Sequence, residues 1–274
     1  MLPMPRDLTG HVLAITGASS GIGAALAEAA AQAGARLALC ARRTDAMQAL
    51  VARLGGDHLV LTCDVSDPEQ CAQFIAATRQ RFGRIDTLVC NAGYGLHQPV
   101  AQTTTAQWEA IWRTNVLGTT ACIAAAVPDL LTQPLRDGWR AQVMIVSSCL
   151  ARSGKPFAAA YSATKAAQLS VAEGLRGELR GQGVAVTSVH PVGTASEFDQ
   201  AAGRAGGGPW RRLRSEPRQT PEQVAAAMLA AIRRPRAEVW PKRGSRLAFL
   251  IAATSPALAG WVFARGSRQA LPKV

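Results

Sequence analysis

A chain of 274 residues with 48% hydrophobic and 18% charged side chains is long enough to bury a large core and too apolar to be disordered. The opening Met1-Leu-Pro-Met-Pro-Arg-Asp7 shows no basic stretch followed by an apolar one, so no signal peptide is expected and the chain is placed in the cytoplasm. The formal net charge of +12 lies largely in 204–246, without a helix-turn-helix, zinc-finger or RNP pattern, so a phosphorylated ligand or an anionic membrane surface is expected rather than a nucleic acid.

In chain order, short β-rich apolar runs alternate with Ala-rich helical stretches. The pairs are strand 11–16 with helix 21–33, strand 37–40 with helix 44–54, strand 59–63 with helix 68–82, strand 87–90 with a helix around 105–131, and strand 142–147 with a helix around 161–182. A strand at 184–190 and a helix at 221–233 follow. This repetition implies right-handed crossovers and a parallel sheet covered by helices on both faces, a doubly wound α/β fold. One domain is expected over 1–274. Within it, the Gly-rich segment 195–221 is long enough for a substrate lid, and 242–274 forms a basic and apolar C-terminal segment.

The first strand runs into Thr16-Gly17-Ala18-Ser19-Ser20-Gly21-Ile22-Gly23 at the start of a helix. Glycines at this spacing permit a tight turn and a close backbone approach to a pyrophosphate, whose charge a helix N-terminus stabilises. Dinucleotide sites that select NAD carry an acidic residue at the end of the second strand. Here the chain reads Cys40-Ala41-Arg42-Arg43, and the two guanidiniums suit a 2′-phosphate, so NADP(H) is preferred over NAD(H).

Tyr161 and Lys165 are four residues apart and therefore share a helix face. A free tyrosine titrates near pH ~10; a neighbouring ammonium favours the phenolate and brings the group into the range of acid/base work. Ser148, at the carboxyl end of the strand Val143-Met-Ile-Val-Ser-Ser148, faces the crevice where such sheets bind ligands and can hydrogen-bond a substrate oxygen. The cysteines (40, 63, 71, 90, 122, 149) show no CxxC pair and are expected reduced and buried; the scattered histidines give no metal-binding spacing.

Over residues 8–198 the chain resembles the short-chain dehydrogenase/reductase family, whose Rossmann-fold members are NAD(P)-dependent oxidoreductases. The motifs stand in family order: Thr16 to Gly23, Cys63-Asp64-Val65, Asn91-Ala92-Gly93, Thr114-Asn115-Val116, Ser147-Ser148, Tyr161 to Lys165 and Pro191 to Thr194. The resemblance implies Tyr161 as general acid/base and Lys165 on the nicotinamide ribose. It further implies Ser148 on the substrate oxygen and Asn115 holding a water that links Lys165 to solvent. Asp64 and Val65 would border the adenine, and Asn91, Ala92 and Gly93 would line the cofactor trough, with Pro191, Gly193, Thr194 and Ser196 near the nicotinamide. It also implies a homodimer or homotetramer built on the long helices around Trp108 and Tyr161. Cys90 replaces a usual Asn with little expected effect. Val192 replaces a usual Gly, and because Val takes positive φ poorly, a reshaped loop is expected.

The run 247–264 carries no charge and is flanked by Arg243, Arg246, Arg265 and Arg268. It is at the lower edge of a membrane span and is interrupted by Pro256 and Gly260, so packing on the protein and a peripheral membrane contact through 242–268 are the readings kept. The functional expectation is hydride transfer between NADP(H) and a small carbonyl/secondary alcohol substrate. An epimerase or dehydratase on the same cofactor fold and a non-catalytic dinucleotide-binding protein are the alternatives.

Overall fold

The structure, a computed structural model, describes residues 5–194, 219–255 and 257. Strands β1 (Val12–Thr16), β2 (Arg36–Ala41), β3 (Leu59–Thr62), β4 (Thr87–Cys90), β5 (Ala141–Val146), β6 (Val184–Val189) and β7 (Glu238–Val239) form one sheet in the order β3-β2-β1-β4-β5-β6-β7. Every neighbouring pair is parallel. β1 and β5 are buried along their whole length, which is why, apart from Thr16 and Gln142, they read as apolar runs without alternation.

The helices are α1 (Gly21–Gln32), α2 (Thr44–Leu54), α3 (Pro68–Phe82), α4 (Thr105–Trp112), α5 (Gly118–Thr132), α6 (Ala159–Glu178), α7 (Pro221–Arg233) and α8 (Ser245–Thr254). On one sheet face Leu26, Met47, Met228 and Ile232 pack over Leu13, Ile15, Leu37 and Leu39. On the other, Phe74, Ile75, Leu130 and Ala172 pack over Ala14, Leu88, Val143 and Ile145. Adjacent residues of β1 thus serve opposite cores, as the two-residue period of a strand requires.

Local chemistry fixes the ends. Asp67 caps α3 by accepting from the Glu69 amide at 2.9 Å, Pro68 opens that helix, and Gly83 closes it with φ of 76°. A reciprocal capping box between Thr220 and Gln223 starts α7. The helix expected around 105–131 is a stretch of 28 residues, Thr105–Thr132, interrupted by a π-helical turn at Arg113–Leu117. By length and composition it is long and apolar enough to cross a membrane, yet it lies half-buried against its own sheet. The helix expected to 182 stops at Glu178, and Gly181 and Gly183 turn the chain into β6.

All six cysteines are buried free thiols. Of the lid expected at 195–221, residues 195–218 lie outside the described residues, as does most of 242–274 beyond α8. The described part of that C-terminal segment packs on the domain: Phe249 of α8 meets Trp240 at 6.3 Å between ring centres.

Candidate active site

The strand order reverses between β1 and β4, and the crevice beyond their carboxyl ends is the ligand position of an open α/β sheet. The turn after β1 and the segment after β4 are clipped together there. Asn91 Nδ2 donates to the main-chain oxygens of Thr16 (3.0 Å) and Gly17 (3.1 Å), while the Thr16 hydroxyl accepts from the amides of Asn91 and Ala92, both at 3.0 Å. The fit leaves no room for side chains. A Cβ on Gly17, whose φ is 67°, would lie 2.8 Å from Ala92 Cα, and one on Gly23 would lie 2.4 Å from the Gly17 oxygen.

Ser19, Ser20, Gly21 and Ile22 are half-buried along this turn. Unlike α3 and α7, α1 has no side-chain cap and no acidic residue in its first turn. Its first amides therefore point into the crevice without an intrahelical partner, and with the helix dipole they suit a phosphate. The cradle fits a dinucleotide pyrophosphate.

Arg42 and Arg43 follow β2 and are exposed. Arg42 is close enough to Tyr94 to draw its phenol down, against a larger upward push from burial. After β3, Asp64 accepts from the Ser66 amide and hydroxyl at 2.9 and 2.8 Å, and buried Val65 abuts Gly118 at the start of α5.

Asn115, fully buried, sits in the π turn, where its side chain clamps the strand extension after Gly93. Its Oδ1 accepts from Tyr94 N, and its Nδ2 donates to Tyr94 O and to Thr164 Oγ1, each at 3.0 Å. A π turn slips the helical register by one residue and frees a carbonyl. The Asn115 main-chain oxygen accepts from Thr119 Oγ1 at 2.9 Å and from Gln168 Nε2 at 2.6 Å.

Tyr161 and Lys165 lie on α6, with Lys165 Nζ 5.6 Å from the centre of the Tyr161 ring. Lys165 is buried, and its Nζ donates to Val146 O and Gln168 Oε1, both at 2.8 Å. Burial disfavours the ammonium and lowers its pKa to about 7. A Ser147 hydroxyl bond to Lys165 O at 2.8 Å ties α6 to the end of β5. Ser148, also buried, accepts from the Leu150 amide at 3.2 Å and donates to Cys149 Sγ at 3.9 Å, a weak acceptor that a substrate oxygen can replace.

The structure thus brings Asn91, Ala92, Gly93, Asn115, Tyr161 and Lys165 to the switch point beside the Gly17 to Gly23 turn. Gly93 is the link between the two parts, since a Cβ there would lie 3.0 Å from Asn115 Oδ1 and 3.6 Å from Lys165 Nζ. Beyond β6, Pro191 O accepts from Cys149 N at 3.1 Å, which holds this loop beside Ser148. Val192 keeps negative φ, and the left-handed position falls on Gly193 instead, with φ of 47°. Gln219 pins the loop by accepting from Val192 N at 3.1 Å and donating its own amide to Gly193 O at 3.2 Å; Thr194 pairs with Gln219 in a short parallel bridge. Ser196 lies outside the described residues.

Two contributors have no counterpart in the sequence reading. Gln168 is buried on α6 between the polar Thr164 and Lys165 and the apolar Leu169, Ala172 and Leu175; a polar residue one turn beyond Lys165 is the one signal that marks it. The second is a cluster behind Ser148. His190 Nδ1 bonds Ser148 O at 3.1 Å and stacks on Trp240 at 4.4 Å, Trp240 donates to Glu238 at 2.9 Å, and Arg152 and Arg246 pair with Glu238. Burial pushes His190 below its usual range. Among the described residues no group of three or more His, Cys, Asp or Glu is arranged to hold a metal ion.

Residues 11–205 match the family described as short chain dehydrogenase. The chain is 31% identical over 230 residues to an uncharacterized oxidoreductase of Staphylococcus aureus, covering 84% of this chain and 94% of that protein. It is 35% identical over 242 residues to glycine betaine reductase ATRR of Emericella nidulans, but spans only 18% of that much longer protein. A short-chain dehydrogenase/reductase from Burkholderia phymatum, solved with NAD, superposes with a TM-score of 0.83 at 24% identity, covering 92% of this chain and 96% of that one. An alcohol dehydrogenase from the archaeon Thermococcus sibiricus, complexed with 5-hydroxy-NADP, superposes with a TM-score of 0.70 at 26% identity, covering 83% and 94%.

Proposed function

Because the chain belongs to the short-chain dehydrogenase family of Rossmann-fold oxidoreductases, we propose that it transfers a hydride between NADP(H) and a carbonyl/secondary alcohol pair, with Tyr161 as general acid/base. When bound, the nicotinamide supplies the hydride donor or acceptor. Gly17, Ser19, Ser20, Gly21, Ile22 and Gly23 hold the pyrophosphate, and Arg42 and Arg43 take the 2′-phosphate. Asp64 and Val65 border the adenine. Asn91, Ala92 and Gly93 line the trough, and Pro191, Gly193, Thr194 and Ser196 flank the nicotinamide.

Tyr161 gives its phenolic proton to a carbonyl oxygen in reduction and recovers it from the alcohol in oxidation. Lys165 favours the phenolate through its charge and holds the ribose. Ser148 donates to the substrate oxygen as negative charge develops there. Asn115 fixes the Gly93–Tyr94 backbone beside Lys165. The observation that carries this reading is the burial of Lys165 with its amine beside the Tyr161 ring and, among the described residues, no carboxylate bonded to it. A buried cation that destabilises the fold is found where its perturbed protonation serves chemistry.

Homo-oligomer formation through α4, α5 and α6 is supported by exposed Trp112 and Leu117, which line a shallow hollow with Trp108. A peripheral membrane contact is supported by α8, which exposes Leu247, Leu250 and Ile251 beside Arg243 and Arg246. The test of the catalytic reading is a titration of the purified protein with NADPH and NADH by nicotinamide fluorescence, followed by a panel of aldehydes and ketones. NADPH binding, with turnover that Tyr161→Phe abolishes while binding persists, is the expected result. Failure to bind either nucleotide refutes the cofactor assignment, and undiminished turnover in Tyr161→Phe refutes the acid/base assignment.

A further inference from the structure

We infer that Gln168 is a positioning residue for Lys165: its amide spans from the Asn115 main-chain oxygen to the Lys165 amine and fixes where that amine sits. The inference rests on the role of Lys165 proposed above. The orientation of the amide follows from its partners. Nε2 lies 2.6 Å from Asn115 O, a carbonyl that can only accept, so the nitrogen must face it and Oε1 must face Lys165. The second Nε2 hydrogen goes to Thr119 Oγ1 at 2.8 Å, and the Thr119 hydroxyl donates to the same Asn115 oxygen at 2.9 Å. Each donor in the cluster therefore has one acceptor, and no rearrangement of protons leaves the set equally satisfied.

The frame is rigid on every side. Gln168 and Lys165 are three residues apart on α6, hence on one face of the helix, and both are buried. Asn115 and Thr119 meet them from the π turn and α5, and Val146 at the end of β5 supplies the other acceptor for Nζ. A lysine stem carries several rotatable bonds. Two fixed acceptors remove most of that freedom and leave a third N–H direction for the site. Gln168 thereby connects Asn115 to Lys165, the link that the family resemblance gives to a water. The titratable side chain alongside is Tyr161, and no charged neighbour among the described residues contributes to the Lys165 shift, which comes from burial.

The amide oxygen stabilises the ammonium more than the free amine, because a hydrogen bond from a charged donor is the stronger one. The test reads that preference directly and needs neither substrate nor nucleotide. Lys155, Lys165, Lys242 and Lys273 are the lysines of the chain, so ε-13C-lysine labelling gives a sparse NMR spectrum in which Lys165 is assigned by its loss in Lys165→Arg. In Gln168→Met the Lys165 midpoint falls by about one pH unit, the equivalent of one charge-assisted hydrogen bond. In Gln168→Glu, which keeps an oxygen toward Nζ and adds a negative charge, the midpoint rises. Thr119→Val removes a bond from the same cluster but none from Nζ, and leaves the midpoint in place while lowering Tm.

A midpoint unmoved in Gln168→Met overturns the inference, as does an equal shift in Thr119→Val, which would make the cluster merely structural. If the Met variant does not fold, the Glu variant decides, and an unchanged midpoint there is equally fatal. The expected titrations together with undiminished turnover in Tyr161→Phe would leave this inference standing and refute the proposed chemistry instead.

Discussion

The substitution Gly23→Ala tests the nucleotide cradle and the fold together. The added methyl would lie 2.4 Å from the Gly17 oxygen and 2.6 Å from Asn91 Nδ2. An ordinary carbon–oxygen contact is about 3.3 Å, so the Gly17 carbonyl or the start of α1 must move by roughly 0.9 Å. Overpacking of this kind costs roughly 1–3 kcal/mol. The shift also breaks the Asn91 Nδ2 bond to Gly17 O, worth about 1 kcal/mol. The sum, about 2–4 kcal/mol, is a large share of the 5–15 kcal/mol typical of a domain, so the variant should fold with a clearly lower urea midpoint and an unchanged slope. Because the displaced carbonyl belongs to the turn that receives the pyrophosphate, NADPH affinity should fall more than tenfold in nicotinamide fluorescence. A variant within about 0.5 kcal/mol of the parent that binds NADPH normally would refute the close-approach argument, since that is the scatter of ordinary surface changes.

Three further outcomes follow from other parts of the molecule. His11 is buried against Thr87, and burial holds its pKa at about 4, so below pH ~6.5 the unfolded chain takes up a proton that the folded one refuses; stability to urea should fall by about 3 kcal/mol between pH ~6.5 and ~4. His11→Gln should flatten that slope, and a parallel profile in the variant would exclude His11 as its source. The change Arg42→Ala with Arg43→Ala should weaken NADPH by roughly 10- to 100-fold and leave NADH nearly unaffected, on the scale of one or two charge-assisted bonds; equal losses for both nucleotides would remove the 2′-phosphate assignment. The protein should sediment with anionic vesicles at low salt and be released by Leu247→Glu with Ile251→Glu, whereas failure to sediment would leave α8 as an element that packs on protein alone.

The alternation of strands and helices was legible because a parallel strand buried on both faces cannot hide as anything but an apolar run, and because Asp67-Pro68 and Gly83 punctuate their helix locally. The cradle and the Tyr161–Lys165 pair were legible for the same reason, since their spacing is short. What escaped the sequence depends on partners far along the chain. β7 is a strand of two residues, Glu238–Val239, lying between Pro235 and Pro241, and it exists because β6 offers Ser188 and Val189 as parallel partners. The π turn at Arg113–Leu117 is a one-residue slip in register, with no composition of its own. Gln168 finds its acceptor 53 positions away at Asn115. At Val192 the valine avoids positive φ, and the neighbouring Gly193 adopts it.

Charge is buried at both ends of the sheet. At the amino ends of the strands, Asp86 is almost inaccessible but accepts from the Val12 amide at 2.9 Å, pairs with Arg84 at 2.7 Å and lies 3.4 Å from Arg136. Gln142 there joins Arg6, Thr187 and the end of α7. Asp86 thus has counter-charges, and removing them would expose the cost of its burial, whereas Arg6 beside it is buried with its hydrogen bonds on the neutral oxygens of Gln142 and Ile232. At the carboxyl ends, Lys165 is likewise buried, and among the described residues its amine bonds neutral acceptors, an arrangement that stability alone does not favour. Behind Ser148, Glu238 pairs with Arg152 and Arg246, so the start of α8 is tied through Trp240 and His190 to the backbone of the serine proposed to hold the substrate oxygen.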